Sequence, residues 1–135
     1  MTLDTSALIA ILFSEPGYLD LVDRILGEDT VRMGAPSLAE TSLVFAGRRG
    51  RTPKASLNDD ALVAALVKEL GVTVVPFGEA EWRKAAEAFA RFGRGRHKAA
   101  LNFGDCLAYA TAAVARDSLL FVGDDFRHTD RRAAN

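Results

Sequence analysis

The chain has 135 residues, 49% hydrophobic and 26% charged, with a formal net charge of −1 and a pI near 6.1. That is enough chain to bury one core without a disulfide or structural metal, and a single domain spanning residues 1–135 is expected. Its one cysteine, Cys106, excludes an intramolecular disulfide and a zinc-type cluster and suits a reducing cytosol; no basic leader and no run of ~18 apolar residues is present, so a soluble protein is expected with no membrane partner.

Met1-Thr2-Leu3 reads as a short buried strand stopping at Asp4, with Thr5-Ser6 turning into a helix through Phe13. Pro16-Gly17 breaks it, and Tyr18, Leu21, Val22, Ile25 and Leu26 form the stripe of an amphipathic helix ending near Gly27. Val31–Gly34 is a second strand, stopped by Pro36. Ser37 then opens a helix to about Gly47, followed by a basic, glycine-punctuated loop at Arg48-Arg49-Gly50-Arg51. Ser56 caps the next helix, closed by Gly71, and Val72–Val75 before Pro76 is the clearest strand. Trp82, Ala85, Ala86 and Phe89 place one stripe of a helix over Glu79–Phe92 against the core. Gly93–Lys98 is a basic loop, a long Ala-rich helix starts around Asp105, and Leu119–Val122 is the last strand, ending at Gly123-Asp124-Asp125.

Short apolar strands alternating with helices predict an α/β fold, a three-layer sandwich with a short-stranded, mainly parallel sheet flanked by helices. In such a sheet, residues that end strands and residues that begin the returning helices share the carboxyl edge, where open α/β sheets place their ligand sites. Asp4 and Asp124 end strands, and Glu40 and Asp105 begin helices. Each also has an ordinary structural role open to it: Ser37 with Glu40 as a capping box, Asp105 on the helix dipole, Asp4 as a cap, Gly123-Asp124-Asp125 as a turn. Four carboxylates on one edge would raise one another's pKa unless a divalent cation joined them. With oxygen donors and no nearby His or Cys ligand, that cation is expected to be Mg2+, with Mn2+ as the alternative. The chemistry implied is metal-assisted phosphodiester hydrolysis.

Leu3-Asp4-Thr5-Ser6-Ala7, Pro36–Thr41, Gly93–His97 leading into Leu101–Cys106, and Gly123–Asp130 together resemble the sequence blocks of PIN-domain ribonuclease toxins of the VapC type, in order along essentially the whole chain. The resemblance implies a PIN-like fold, a Mg2+-dependent endoribonuclease acting on RNA in the cytoplasm, a small antitoxin partner and a homodimer. It assigns catalytic roles to Asp4, Glu40, Asp105 and the pair Asp124/Asp125, with Asp124 favoured as the residue directly after Gly123. Asp4 and Asp105 become metal ligands, and Glu40 assists through a water or as an acid/base. Thr5 or Ser6 would bond an acidic partner or the phosphate. The tail Arg131–Asn135 is more basic than the short apolar strand the family implies there.

Three basic clusters remain: Arg48, Arg49, Arg51 and Lys54; Arg91, Arg94, Arg96, His97 and Lys98; and Arg127, His128, Arg131 and Arg132. The loop carrying Arg94, Arg96, His97 and Lys98 precedes the Asp105 helix, which makes it the expected contact for an RNA backbone. Cys106 reads as small buried filler and Trp82 as core. The competing reading is a catalytically inactive PIN-fold binding module acting through protein contacts. An aspartyl-phosphate enzyme is disfavoured, since Ser6 stands where a dehalogenase-like phosphatase needs a second Asp, and the last lysine is Lys98.

Overall fold

The first strand is only two residues long, because Asp4 takes extended backbone (φ −87°, ψ 159°) and starts a helix by accepting the Ser6 N–H on its carboxylate. In this computed structural model, which describes residues 1–50 and 53–134, that strand-to-helix turn lies beside the centre of a four-stranded sheet. The elements run β1 (Thr2–Leu3), α1 (Thr5–Leu12), α2 (Tyr18–Leu26), β2 (Arg32–Gly34), α3 (Ala35–Arg49), α4 (Pro53–Glu69), β3 (Thr73–Val75), α5 (Glu79–Phe92), α6 (Phe103–Ala115) and β4 (Leu119–Leu120). A 3-10 turn over Asp125–His128 follows. The strand order is β3-β2-β1-β4 and every pairing is parallel, with Thr2 beside both Arg32 and Leu119.

Helices cover both faces, as expected for a parallel sheet. One core gathers Leu3, Leu8, Ile25, Met33, Phe45, Val63 and Leu120, and the other Phe92, Leu101, Tyr109, Leu119, Phe121 and Phe126. The neighbours Leu119 and Leu120 lie in different cores because successive strand side chains point to opposite faces. The three-layer α/β expectation therefore holds. Thr111 on α6 approaches Gly34 so closely that a Cβ there would stand 2.6 Å from its Oγ1, so this glycine lets the helix lie against β2.

Several local expectations are corrected. Helix α3 starts at Ala35, not Ser37, and Pro36 lies inside its first turn, where a missing N–H costs nothing. The Ser37–Glu40 capping box is consequently not formed: the Ser37 hydroxyl is buried without a partner, and Gly34 occupies the cap position. Helix α4 starts at Pro53, so Ser56 is within it rather than at its cap; Arg51 and the side chains of Lys54 and Ser56 lie outside the described residues. The last strand stops at Leu120, leaving Val122 47% exposed.

The largest correction concerns α5. Trp82 is 57% and Phe89 42% exposed, and the buried residues are Ala88 and Phe92, with Ala85 packed beside them. Facing α6 presents Ala108 and Ala112 in the same core, so the two helices close on small side chains and the bulky stripe turns outward. Together with Pro36, Leu43 and Phe103, that stripe walls an open apolar groove of about 890 Å³, whose rim includes Glu40 and Gly104. The basic tail does reach the sheet: Leu119 N–H bonds Arg132 O at 3.0 Å and Ala134 N–H bonds Leu119 O at 2.9 Å, a single parallel bridge and not a strand.

Candidate active site

Helix starts and strand ends bring the acidic residues to one rim. Asp4, 5% exposed, caps α1; its Oδ2 accepts both the Ser6 N–H at 2.9 Å and the Ser6 hydroxyl at 2.5 Å. Ser6 Oγ in turn accepts the Val122 N–H at 3.0 Å, which ties the Asp4 turn to the chain leaving β4. Thr5 donates its hydroxyl to Glu40 Oε2 at 2.7 Å and lies 3.1 Å from Ser37 O, fastening α1 to α3. Both hydroxyls thus bond acidic partners, one of the two roles expected for them.

Asp105 sits at the third position of α6 in a reciprocal cap: Asp105 N–H bonds Asn102 Oδ1 at 3.0 Å, and Asn102 N–H bonds Asp105 Oδ2 at 2.7 Å. The sequence reading missed Asn102, although Asn102-Phe103-Gly104-Asp105 has the spacing of that motif. Gly104 is equally consequential. A Cβ there would lie 2.5 Å from Glu40 Oε1 and 2.7 Å from Oε2, so the absent side chain is the space the Glu40 carboxylate occupies beside α6.

The charges are uncompensated. Burial pushes the Asp4 carboxyl above its usual range, against the Ser6 hydrogen bonds, and the charge of Glu40 adds to the rise. Asp105 is pushed up to about 6, first by burial and then by the charges of Asp4, Asp125 and Glu40, while the Asn102 N–H pulls the other way. None of Asp4, Glu40, Asp105 and Asp125 is ion-paired to a basic side chain among the described residues. Of the two acids in the Gly123 turn, Asp125 is among the charges that raise Asp105. Asp124, the residue favoured from the sequence, pairs with Arg127 at 3.3 Å, and both side chains are exposed.

Does this arrangement fit a divalent cation? All the nearby donors are carboxylate or hydroxyl oxygens, and a nearly buried, unpaired carboxylate beside other carboxylates is a state that a cation relieves. Among the described residues no three acidic, histidine or cysteine side chains close around one point. A pair such as Asp4 and Asp105 is sufficient, because Mg2+ keeps several waters and is commonly held by one or two carboxylates plus substrate phosphate. The donor set fits.

Around the rim, the loop before α6 offers cations. Arg94 and Lys98 are exposed with no side-chain partner among the described residues, while Arg96 lies over the Phe89 ring at 5.3 Å. His97 is held locally, its Nδ1 accepting the Ala99 N–H at 3.2 Å and its ring edge-on to Phe92. In the other clusters, Arg48 pairs with Glu15, Arg49 with buried Asp59 and Arg127 with Asp124, and Arg131 covers the Tyr109 ring. Cys106 is buried, and burial together with the Asp105 charge pushes its thiol up to about 11, which suits filler and not a nucleophile.

The PIN domain model matches residues 1–132. Ribonuclease VapC36 of Mycobacterium tuberculosis is 39% identical over 131 residues, covering 96% of this chain and 90% of the relative. Ribonuclease VapC of Mycolicibacterium smegmatis is 38% identical over 136 residues, with both chains fully covered. Among solved structures, M. tuberculosis VapC20, described as a sarcin-ricin loop cleaving toxin, superposes with a TM-score of 0.72 over 96% of this chain and 95% of that one at 16% identity. A toxin–antitoxin complex from Klebsiella pneumoniae gives 0.68 over 96% and 92% at 12% identity. These two structural likenesses speak for the fold.

Proposed function

The chain belongs to the PIN-domain family, and on that premise we propose that it is a VapC-type ribonuclease toxin, a metal-dependent endoribonuclease neutralised by a small antitoxin protein. The observation that carries this reading is the rim itself: Asp105 raised to about 6 among Asp4, Glu40 and Asp125, with no ion pair from any of the four to a basic side chain among the described residues. A capped, purely structural edge gains nothing from such crowding.

In this reading Asp4 and Asp105 hold the cation, with Asp125 completing the negative rim in preference to Asp124. Bound there, Mg2+ or Mn2+ supplies polarisation of the scissile phosphoryl oxygen and a water of lowered pKa. Thr5 fixes the Glu40 carboxylate through Oε2, leaving Oε1 to orient a water or accept its proton. Ser6 holds Asp4 in place. Arg94, Arg96 and Lys98, with His97 in the same loop, bind backbone phosphates and keep the RNA on the rim despite the near-neutral chain. We take the whole of residues 1–135 as one domain acting in the cytoplasm as a homodimer; no helix among the described residues is long and apolar enough to cross a membrane. The names of the relatives, ribonucleases and toxin–antitoxin complexes, support the substrate and partner.

The test is cleavage of a mixed cellular RNA pool by the purified, antitoxin-free protein with Mg2+ or Mn2+, with EDTA, and with Asp105→Asn. Discrete fragments that disappear in both controls are expected. Identical patterns in all three, from protein shown to be folded, would replace the enzyme with the binding-module reading.

A further inference from the structure

The segment that carries Asp125 has a polar anchor of its own. Tyr109 stands four residues after Asp105, one turn further along the same face of α6, and is 2% exposed. Its hydroxyl donates to Asp130 Oδ1 at 2.7 Å, and Arg91 Nη2 on α5 donates to Asp130 Oδ2 at 2.8 Å. Arg91 is itself steadied by Glu87 at 3.3 Å and lies over the Phe92 ring at 4.5 Å. Arg131 Nε stands 3.5 Å from Asp130 Oδ1. Both oxygens of Asp130 are therefore used, one on each helix of the pair that faces the second core.

The remaining hydrogen bonds of residues 124–131 among the described residues are internal: Arg127 N–H to Asp124 O, Thr129 N–H and hydroxyl to Phe126 O, and Arg131 N–H to Thr129 Oγ1. Such bonds shape the turn without fixing its direction relative to α6. Phe126, buried against Phe121 with ring centroids 5.0 Å apart, pins one point. The chain is tied again on either side of the segment, where the Val122 N–H bonds Ser6 Oγ and Arg132 O accepts the Leu119 N–H. Asp130 adds a side-chain tie to α5 and α6 between those points, five residues after Asp125, whose charge is among those that raise Asp105.

We propose that Asp130 is a positioning residue for the cation site: clamped by Tyr109 and Arg91, it holds the turn that carries Asp125 so that this carboxylate stays beside Asp105. The proposal rests on the reading of Asp125 as part of that site. It assigns a role to a residue 5 positions downstream of the acidic pair that touches neither cation nor RNA.

The experiment compares Asp125→Asn, Asp130→Ala, Asp130→Asn, Tyr109→Phe and the double variant Asp125→Asn/Asp130→Ala. Mn2+ binding is read from the electron paramagnetic resonance signal of free aqueous Mn2+, RNA cleavage as separate kcat and KM, and folding by thermal melting. Asp125→Asn is expected to weaken Mn2+ binding about tenfold, and Asp130→Ala by roughly three- to tenfold with kcat falling and KM for RNA unchanged. Asp130→Asn, which keeps an acceptor for the Tyr109 hydroxyl, should recover most of the loss. The double variant should be no weaker than Asp125→Asn alone, because Asp130 has nothing left to position. Multiplying effects in the double variant would overturn the proposal, as would wild-type Mn2+ binding and kcat in Asp130→Ala. Should Asp130→Ala fail to fold, Tyr109→Phe, which removes only the hydroxyl, is judged by the same criteria. If Asp125→Asn alone changes neither Mn2+ binding nor cleavage, the assignment of Asp125 fails and the proposal falls with it, whereas metal-dependent cleavage abolished by Asp105→Asn would still stand.

Discussion

The two ends of one parallel sheet treat their carboxylates in opposite ways. At the amino edge, Asp117 accepts the Thr2 hydroxyl at 2.9 Å and the Arg32 guanidinium at 3.0 and 3.2 Å, so its charge is matched by donors from β1 and β2. At the carboxyl edge, Asp4, Glu40, Asp105 and Asp125 have hydroxyl, amide and like-charged neighbours but no ion pair to a basic side chain among the described residues. Balanced charge at one edge locks strands together, while the imbalance at the other is a standing demand for something from outside the chain. On the proposed function the same residue type is structural in one place and chemical in the other, and its neighbours decide which.

That contrast is broken or sharpened by substitution. The largest effect is expected at Asp4: Asp4→Asn should lower RNA cleavage at least about a hundredfold, a loss typical of removing one preorganised electrostatic group, while the protein stays folded. The matching change at the other edge, Asp117→Asn, should leave kcat and KM unchanged but cost about 1–2 kcal/mol in a denaturant melt, the worth of hydrogen bonds to a charged group. Inactivity of both, or stability loss in both, would erase the distinction.

Next is Gly104→Ala. The added Cβ must push aside the end of the Glu40 side chain, which is flexible, so folding should survive while cleavage falls about tenfold, within the range for disturbed groups around a metal site. A variant as active as the parent would show that Glu40 is not needed where it lies.

The pH dependence has a definite sign. Asp105 is raised from 3.8 to about 6, so its stabilising contribution is fully present below about pH 4 and is lost as pH rises through about 6; Asp4 is raised in the same direction. In EDTA, Asp105→Asn should therefore be more stable than the parent at pH 7 by about 1–2 kcal/mol, after discounting for partial exposure, with the gain vanishing by pH 4. Cation binding should weaken as pH falls below about 6 and release protons at that pH, measurable by calorimetry in two buffers. An advantage for Asp105→Asn that grows toward pH 4 would mean that the carboxylate is stabilised, not crowded. The smallest effect is at the loop: Arg94→Ala or Lys98→Ala should reduce the salt slope of RNA binding by roughly 1 without changing the cleavage site.

Much of this was readable in the residues, because caps and breaks act within a few positions. Asp4 after Leu3, Gly27 after a helical stripe and the run up to Pro76 each punctuate the chain locally, and parallel topology then carries Asp4, Glu40 and Asp105 to one edge. Readings failed where two local solutions competed. Ser37 with Glu40 has the spacing of a capping box, yet Pro36 was free to enter the helix and Glu40 found Thr5, 35 positions away in the chain. On α5 the expected stripe of Trp82, Ala85, Ala86 and Phe89 meets the core only at Ala85, and Ala88 and Phe92 take the buried places, since nothing in that helix reveals that its partner is walled by alanine.

What the sequence by itself determined is the alternation of short strands and helices, the edge at which the carboxylates gather and the family blocks they form. Only the tertiary structure decided which face of α5 is left open as a groove beside Glu40, that Glu40 is held by Thr5, and that Tyr109 and Arg91 meet on Asp130. The physical reason is range: hydrogen bonds of caps and turns span three or four residues, whereas a carboxylate's charge state and orientation depend on whatever packing brings within a few ångströms from anywhere in the chain.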